Sequence, residues 1–521
     1  MYNKIRAAKK PQSGVPYDLP KIITKEFAPE LAKPVCRIIT SIARTGEWPN
    51  HWKLEHITPI SKVPIPESED DLRPISLTAF FSKVTEHFVV MWLLNYIKDK
   101  IDFRQYGGFK GNSITHYLIE FINFILSNQD GTDQIAILAC MIDFSKAFNR
   151  QNHNLLITKL SDMDVPGWLL KIVIAFLTDR KMLVRYKGEQ SKVKTLPGGG
   201  PQGTLLGLLL FIVLINDVGF DGQTNNTGEI ITSKKNMKAA NQIHLKYVDD
   251  LTLAEVINLP EKLVSVPSSA RPLPDTFHAR TGHVMPVEKS NVFEQLTKTR
   301  EYANENDIKI NEKKTKLMLF NPCTSIDFMP EVRLENHELE VVEEMRLLGV
   351  IIRSDLKWTS NTENIVKKAN KRLWILRRLK NLGAEAGDLT EVYTKQIRSV
   401  LELAVPAWHG GITQAEQFDI ERVQKSASHI ILGEQYVSYK SALKTLNIEP
   451  LEARRNKLCL NFARKAEKHE KFTKWFKLNE PNVNTRQVKT KYCEVKASHA
   501  RFQKSPLSIL TNMLNEHHSK K

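Results

Sequence analysis

Asp143 closes the apolar run QIAILACMIDF (134–144), and Asp249–Asp250 lie between two short alternating stretches in IHLKYVDDLTLAEV. A continuous apolar run ending in an acid reads as a buried strand, and alternation on either side of an acidic pair reads as a hairpin. If these strands are neighbours in one sheet, three carboxylates converge at its edge. Packed carboxylates repel and raise one another's pKa, so a cation must neutralise them. Mg2+ suits this role because it takes hard oxygen ligands and is commonly held by carboxylates together with substrate phosphates. Two such ions about 4 Å apart lower the pKa of an attacking hydroxyl and stabilise a departing pyrophosphate oxygen, which is the chemistry of nucleotidyl transfer. An Asp pair in a tight turn is also ordinary turn chemistry, so the pair alone does not decide.

The elements that must carry these acids are legible in outline. EFAPELAKPVCRIITSIARTGEWPNHWK reads as an amphipathic helix closed by Gly46 and Pro49, and Ser82–Lys98 and His116–Leu126 as further helices. TPISKVPIPESEDDLRPISL is extended and punctuated by proline, and QYGGFKGNSI is a Gly-rich loop. SKAFNRQNHNLLITKL and PGWLLKIVIAFLTDR read as helices, and LPGGGPQGTLLGLLLFIVLIND as a Gly/Pro loop running into a helix apolar nearly all round, hence buried. LEVVEEMRLLGVIIR predicts another strand pair, and from Asn361 onward the pattern is almost wholly helical. Polar or Pro-rich insertions are expected near 221–241 and 255–290.

Composition narrows the class. The 521 residues hold 75 Lys/Arg against 58 Asp/Glu, a formal +17, so a polyanionic partner is the first expectation and an acidic disordered scaffold is excluded. The surplus is concentrated: nine basic against two acidic residues lie between Arg353 and Lys380, and fourteen against five between Asn461 and Lys521. Five scattered cysteines include no CxxC and no Cys/His cluster at zinc spacing, which suits a reducing compartment. Without a signal peptide or an apolar run near the about 20 residues that span a bilayer, the expectation is a soluble, intracellular protein with no membrane partner.

In chain order the sequence presents RPISL, QYGGFKGNSI, DFSKAF, GGPQGTLLG, YVDD, NEKKTKLMLF and LLGVII. This series resembles the reverse transcriptases of non-LTR retrotransposons, specifically of the jockey type. The resemblance implies an α+β right-hand polymerase fold with fingers, a palm built on an antiparallel sheet, and a helical thumb. It divides the chain into an extension at 1–60, fingers and palm at 61–346, primer-grip hairpin and thumb at 347–400, and a basic helical region at 401–521. The implied activity is RNA-directed DNA synthesis from dNTPs on an RNA template and a DNA primer, with two Mg2+ ions or Mn2+ in their place. The alternative is a catalytically inactive RNA-binding remnant, since the stretch before the fingers has no room for an endonuclease domain and suggests a truncated reading frame. Nuclear work is implied by analogy.

Residue by residue, the resemblance assigns the metal-binding acids to Asp143 and Asp249, with Asp250 as the supporting third carboxylate. Phe148 matches the aromatic that packs under the incoming sugar and refuses a 2′-hydroxyl. Gln202 and Gly203 of the Pro201-Gln202-Gly203 motif match nucleotide-contacting positions, glycine letting the backbone approach closely. Lys62 and Arg73 match fingers cations that clamp the triphosphate. Lys314 matches the lysine that protonates pyrophosphate, with Lys313 as its neighbour by one residue. Lys367, Lys368, Lys371, Arg372, Arg377 and Arg378 form the basic face of a thumb helix able to track a phosphate backbone. The chain departs from the family pattern at Asn149, where an acid is usual, at Leu208, where proline is usual, and at Tyr247-Val248, where Phe-Ala is commoner.

Overall fold

The computed structural model describes residues 1–6, 15, 18–131, 135–145, 151–196, 198–218, 242–258, 264–265, 277–279, 283–284, 291–322, 328–330, 332–334, 337–479 and 490–519. The expected insertions near 221–241 and 255–290 fall largely outside these residues, as do Phe148 and Asn149. The described chain is α+β, with helices packed on mainly antiparallel sheets. It forms two compact units, each assembled from separate stretches: residues 1–108, 143–222 and 297–311 make one, and residues 109–142, 223–296 and 312–521 the other.

The first unit is built on a mixed sheet. Leu54–Ser61 pairs antiparallel with Leu72–Leu77 and parallel with Lys181–Tyr186, which continues to Glu189–Gln190 and also pairs with Lys194–Thr195. The amphipathic helix expected near the start is Ala28–Thr45, and Gly46 ends it at φ 75°, a left-handed value that glycine adopts without penalty. Helix Phe80–Ile97 starts two residues earlier than its sequence pattern suggests, because Asp18 accepts the Phe80 N–H at 3.0 Å and caps it from a distant stretch. Helix Leu205–Leu214 is buried at every position except Leu205 and Leu208, as its all-round apolar sequence requires.

The second unit holds a five-stranded sheet in the order Glu340–Val341, Lys316–Phe320, Ile135–Ile142, Asp250–Asn258, Gln242–Tyr247. Ile135–Ile142 lies in its middle, and seven of its eight residues are buried, which accounts for an apolar run without alternation. Helix Ile114–Asn128 covers one face. The hairpin Glu344–Leu347/Val350–Arg353 turns at Leu348-Gly349 and leads into helix Thr359–Asn381. A helical C-terminal region follows, including Gln414–Leu432, Leu451–Ala466 and Pro506–Ser519. Among the described residues, no helix is long and apolar enough to cross a membrane.

Candidate active site

The strand register gathers the acidic motifs. Ile142 pairs with Leu251, so the next residue along one strand, Asp143, and the preceding residue on the other, Asp250, leave the same end of this strand pair. Tyr247 pairs with Asp250, so Val248-Asp249 is a two-residue hairpin turn. Val248 sits at φ 58°. A β-branched residue there is a genuine conformational outlier, of the kind that costs about 1–3 kcal/mol and persists where its surroundings over-determine it. Asp249 is exposed, and Asp143 and Asp250 are half-buried.

Tyr117, which the sequence reading did not single out, supports this hairpin from behind. Fully buried on helix Ile114–Asn128, it donates a 2.5 Å hydrogen bond to the Thr252 hydroxyl and meets the Tyr247 ring edge-on at 6.4 Å between centroids. Burial pushes the Tyr117 phenol far above its ordinary range, and the Asp250 carboxylate adds to that shift. Tyr247 is raised by the same two causes in the same order. Both phenols therefore stay neutral and present dipoles, with no added negative charge, beside the acids. The sequence signal of Tyr117 is only that of one aromatic among several on its helix.

The NEKKT segment has its own register. Lys316 pairs with Met141, and the Asn311 N–H donates to the Asp143 carbonyl at 2.7 Å. Residues 312–315 thus form an excursion between two strand-paired positions, and Lys313 and Lys314 are exposed on it. The excursion turns away next to Asp143 in the pairing order, where the resemblance places a proton donor.

In the first unit, Lys62 and Arg73 lie on one hairpin. The Lys62 N–H donates to the Asp71 carbonyl at 2.7 Å, and Ile60 pairs with Arg73, so strand alternation puts both cations on the same face, and both are exposed. The PQG loop is tied to this hairpin: the Ser76 N–H donates to the Gln202 carbonyl at 3.1 Å. Gly203 lies at φ 98°, and an added Cβ would meet nothing closer than 3.8 Å, so backbone conformation explains the glycine better than lack of room. Thr204 caps the following helix by accepting the Gly207 N–H at 3.2 Å.

On helix Thr359–Asn381, Ile365, Ala369, Leu373 and Leu376 are buried, and Lys367, Lys371, Arg372, Arg377 and Arg378 are exposed, with Lys368 half-buried. Burial, then Arg346 and Arg372, hold the Lys368 ammonium below its ordinary pKa. Arg372 donates to the Gln396 carbonyl and so has a structural tie. Trp374, 59% exposed, lies in the same stripe with the Arg378 guanidinium 5.8 Å from its ring centroid.

The donor chemistry of the acids fits a hard divalent cation, since the strand ends offer carboxylate oxygens and no sulfur or imidazole. Among the described residues no three His, Cys, Asp or Glu side chains gather as a metal cage. The register instead brings Asp143 and Asp250 to one strand end with Asp249 in the turn beyond.

Residues 65–268 match the family described as "Reverse transcriptase (RNA-dependent DNA polymerase)". Over 428 residues the chain is 24% identical to a probable RNA-directed DNA polymerase from transposon BS of Drosophila melanogaster, covering 80% of this chain and 42% of that protein. Over 184 residues it is 28% identical to the RNA-directed DNA polymerase from mobile element jockey of the same organism, covering 35% of this chain and 20% of that protein. The chain thus spans less than half the length of these curated relatives. Among solved structures, a telomerase from Candida albicans in complex with a TWJ fragment of telomeric RNA aligns over 84% of this chain and 63% of that one, with a TM-score of 0.38 and 10% identity.

Proposed function

We propose that the reverse transcriptase segment of this chain, of the jockey-like non-LTR type, catalyses RNA-directed DNA synthesis, adding dNTPs to the 3′-hydroxyl of a DNA primer on an RNA template. The observation that carries this reading is the register at the strand end, where Asp143 and Asp250 flank the paired residues Ile142 and Leu251 with Asp249 in the adjoining turn. In this proposal Asp143, Asp249 and Asp250 hold the divalent metal, Mg2+ or Mn2+. When bound, that metal activates the primer hydroxyl and neutralises charge on the departing pyrophosphate.

The chain's own residues then have separable tasks. Lys62 and Arg73, on one face of a hairpin, bind the triphosphate by charge. Gln202 orients the incoming nucleotide from a loop whose backbone is fixed to Ser76. Phe148 is assigned by resemblance to exclude the 2′-hydroxyl. Lys314 donates a proton to the leaving oxygen, a contribution typically worth roughly 10²–10⁴-fold, so its loss slows synthesis without ending it. The exposed cations of helix Thr359–Asn381 hold the primer-template by its phosphates, independent of sequence.

Primer extension on poly(rA)/oligo(dT) tests the reading. Wild-type protein should incorporate dTTP with Mg2+ or Mn2+, and Asp249→Ala should fall to background. Equal silence of both proteins on several templates would refute polymerase activity and leave an inactive nucleic-acid-binding remnant.

A further inference from the structure

Glu86 has no exposed surface, yet it is a carboxylate on a helix, Phe80–Ile97, that is otherwise mostly apolar. Its Oε2 accepts the backbone N–H groups of Leu205 at 3.1 Å and Leu206 at 3.3 Å, and Ser82 Oγ reaches its Oε1 at 3.4 Å. Leu205 and Leu206 open helix Leu205–Leu214, directly after Pro201-Gln202-Gly203-Thr204. The first N–H groups of a helix have no partner within it, and a carboxylate there also meets the favourable end of the helix dipole. These acceptor bonds therefore anchor the helix start that carries the PQG loop.

The loop has no slack on its other sides. Its upstream end is fixed by the Ser76 N–H on the Gln202 carbonyl, and Thr204 Oγ1 both accepts from the Gly207 N–H and donates to the Pro201 carbonyl at 2.9 Å. A Cβ at Gly207 would come within 2.7 Å of the Pro201 carbonyl and of Thr204 Oγ1, so loop and first helical turn are packed as one piece. Moving Leu205 and Leu206 moves Gln202. The burial of Glu86 also keeps water from substituting for it, so its two acceptor bonds have no replacement when it is removed.

Burial pushes the Glu86 carboxyl up to about 7, opposed by the Leu206 N–H, Arg180, the Leu205 N–H and Lys83. Arg180, itself fully buried and paired with Glu55 at 3.1 Å, supplies compensating positive charge from another part of the chain.

We infer that Glu86 is a positioning residue for nucleotide binding, holding the Pro201-Gln202-Gly203 loop in place through the first turn of the helix that follows. This deepens the polymerase reading and rests on it for the nucleotide. It makes a specific demand on kinetics: a residue that places a nucleotide contact without touching the reacting atoms should alter KM for dNTP much more than kcat.

The test compares wild type, Glu86→Ala, Glu86→Gln, Glu86→Asp and Val84→Ala in primer extension and in amide hydrogen exchange over 202–210. Glu86→Ala should raise the KM for dTTP about tenfold or more, with kcat changed by less than about threefold, and speed exchange at Leu205 and Leu206. Glu86→Gln keeps an acceptor oxygen and should recover most of both. Glu86→Asp, one methylene too short, should behave like alanine if the alanine variant does not fold. Val84→Ala, a buried change on the same helix, should lower stability while leaving KM and loop exchange alone. Wild-type KM and unchanged exchange in Glu86→Ala or Glu86→Asp would overturn the inference, as would an equal KM rise in Val84→Ala. If wild type incorporates no nucleotide, the polymerase reading fails, and the exchange measurement still decides whether Glu86 holds the loop.

Discussion

The two compact units secure their candidate site residues by opposite means. In the first, the loop bearing Gln202 and Gly203 rests on buried polar groups: the Glu86 carboxyl accepts two helix N–H groups, and Arg180 pairs with Glu55, both partners 1% exposed. In the second, the YVDD turn rests on neutral groups, the Tyr117 ring against Tyr247 and its hydroxyl on Thr252. The helix that carries Tyr117 is itself held by aromatics, since His116 stacks on Phe472 at 4.0 Å and meets Phe462 at 4.5 Å. The contrast follows from what each part faces. Neighbouring carboxylates gain nothing from a further anion behind them, whereas a helix start has N–H groups that need an acceptor.

The largest effects come from leaving a buried charge alone. Arg180→Met strands Glu55 and should cost about 3–5 kcal/mol in urea unfolding, while the double variant Arg180→Met/Glu55→Leu should recover most of the loss. A double variant as unstable as the single one would show that shape, and not charge, sets this region. In the second unit Tyr117→Ala should cost about 3–5 kcal/mol by opening a cavity behind the hairpin, and Tyr117→Phe only about 1 kcal/mol, the net worth of its hydrogen bond. A Phe variant as damaged as the Ala variant would mean the hydroxyl, rather than the ring, supports the turn.

The pH responses should run in opposite directions. Glu86 is pushed up to about 7 from 4.5, so the folded chain binds its proton more tightly than the unfolded chain. Stability from this group is therefore present at acid pH and declines by roughly 3 kcal/mol as pH rises from about 4.5 to 7. Glu86→Gln should remove that limb from a plot of stability against pH. His116 is lowered to about 3, first by burial and then by His469 and Lys471. Its neutral form is the one that packs, so its contribution is intact above about 6.5 and is lost as pH falls toward 3. His116→Phe should flatten that acid limb. Same-direction limbs in the two variants would break the comparison.

The smallest effect concerns neither interior. Lys371→Glu with Arg378→Glu on the exposed stripe should leave stability within about 0.5 kcal/mol and reduce the salt dependence of nucleic-acid binding. An unchanged salt slope would make these cations ordinary surface charge.

Much of the site's scaffold was legible because short-range rules govern it. The hairpins at YVDD and LLGVII, the buried strand ending at Asp143 and the buried helix after PQG all announce themselves through alternation, apolar runs or turn residues. What escaped depends on contacts distant in sequence. Nothing local to Phe80 reveals that Asp18 caps its helix, and Glu86 in SKVTEHF looks like a solvent-facing acid until Leu205 and Leu206 arrive beside it. Tyr117 is one aromatic among several on its helix. The six-residue π-helix Tyr393–Arg398 has no composition signal that separates it from the α-helix before it.

The segmented make-up of the two units carries a consequence for biosynthesis. Asp143 emerges early from the ribosome, but the backbone partner of its carbonyl, Asn311, and the Tyr302 hydroxyl that closes on Leu214 come only much later. Until then neither unit has all its parts, and the apolar strand Ile135–Ile142 waits for both its sheet neighbours, Asp250–Asn258 and Lys316–Phe320. Translation speed through the stretch between them, and chaperone occupancy of the nascent chain during that interval, should therefore govern the yield of folded protein more than the stability of the finished molecule does.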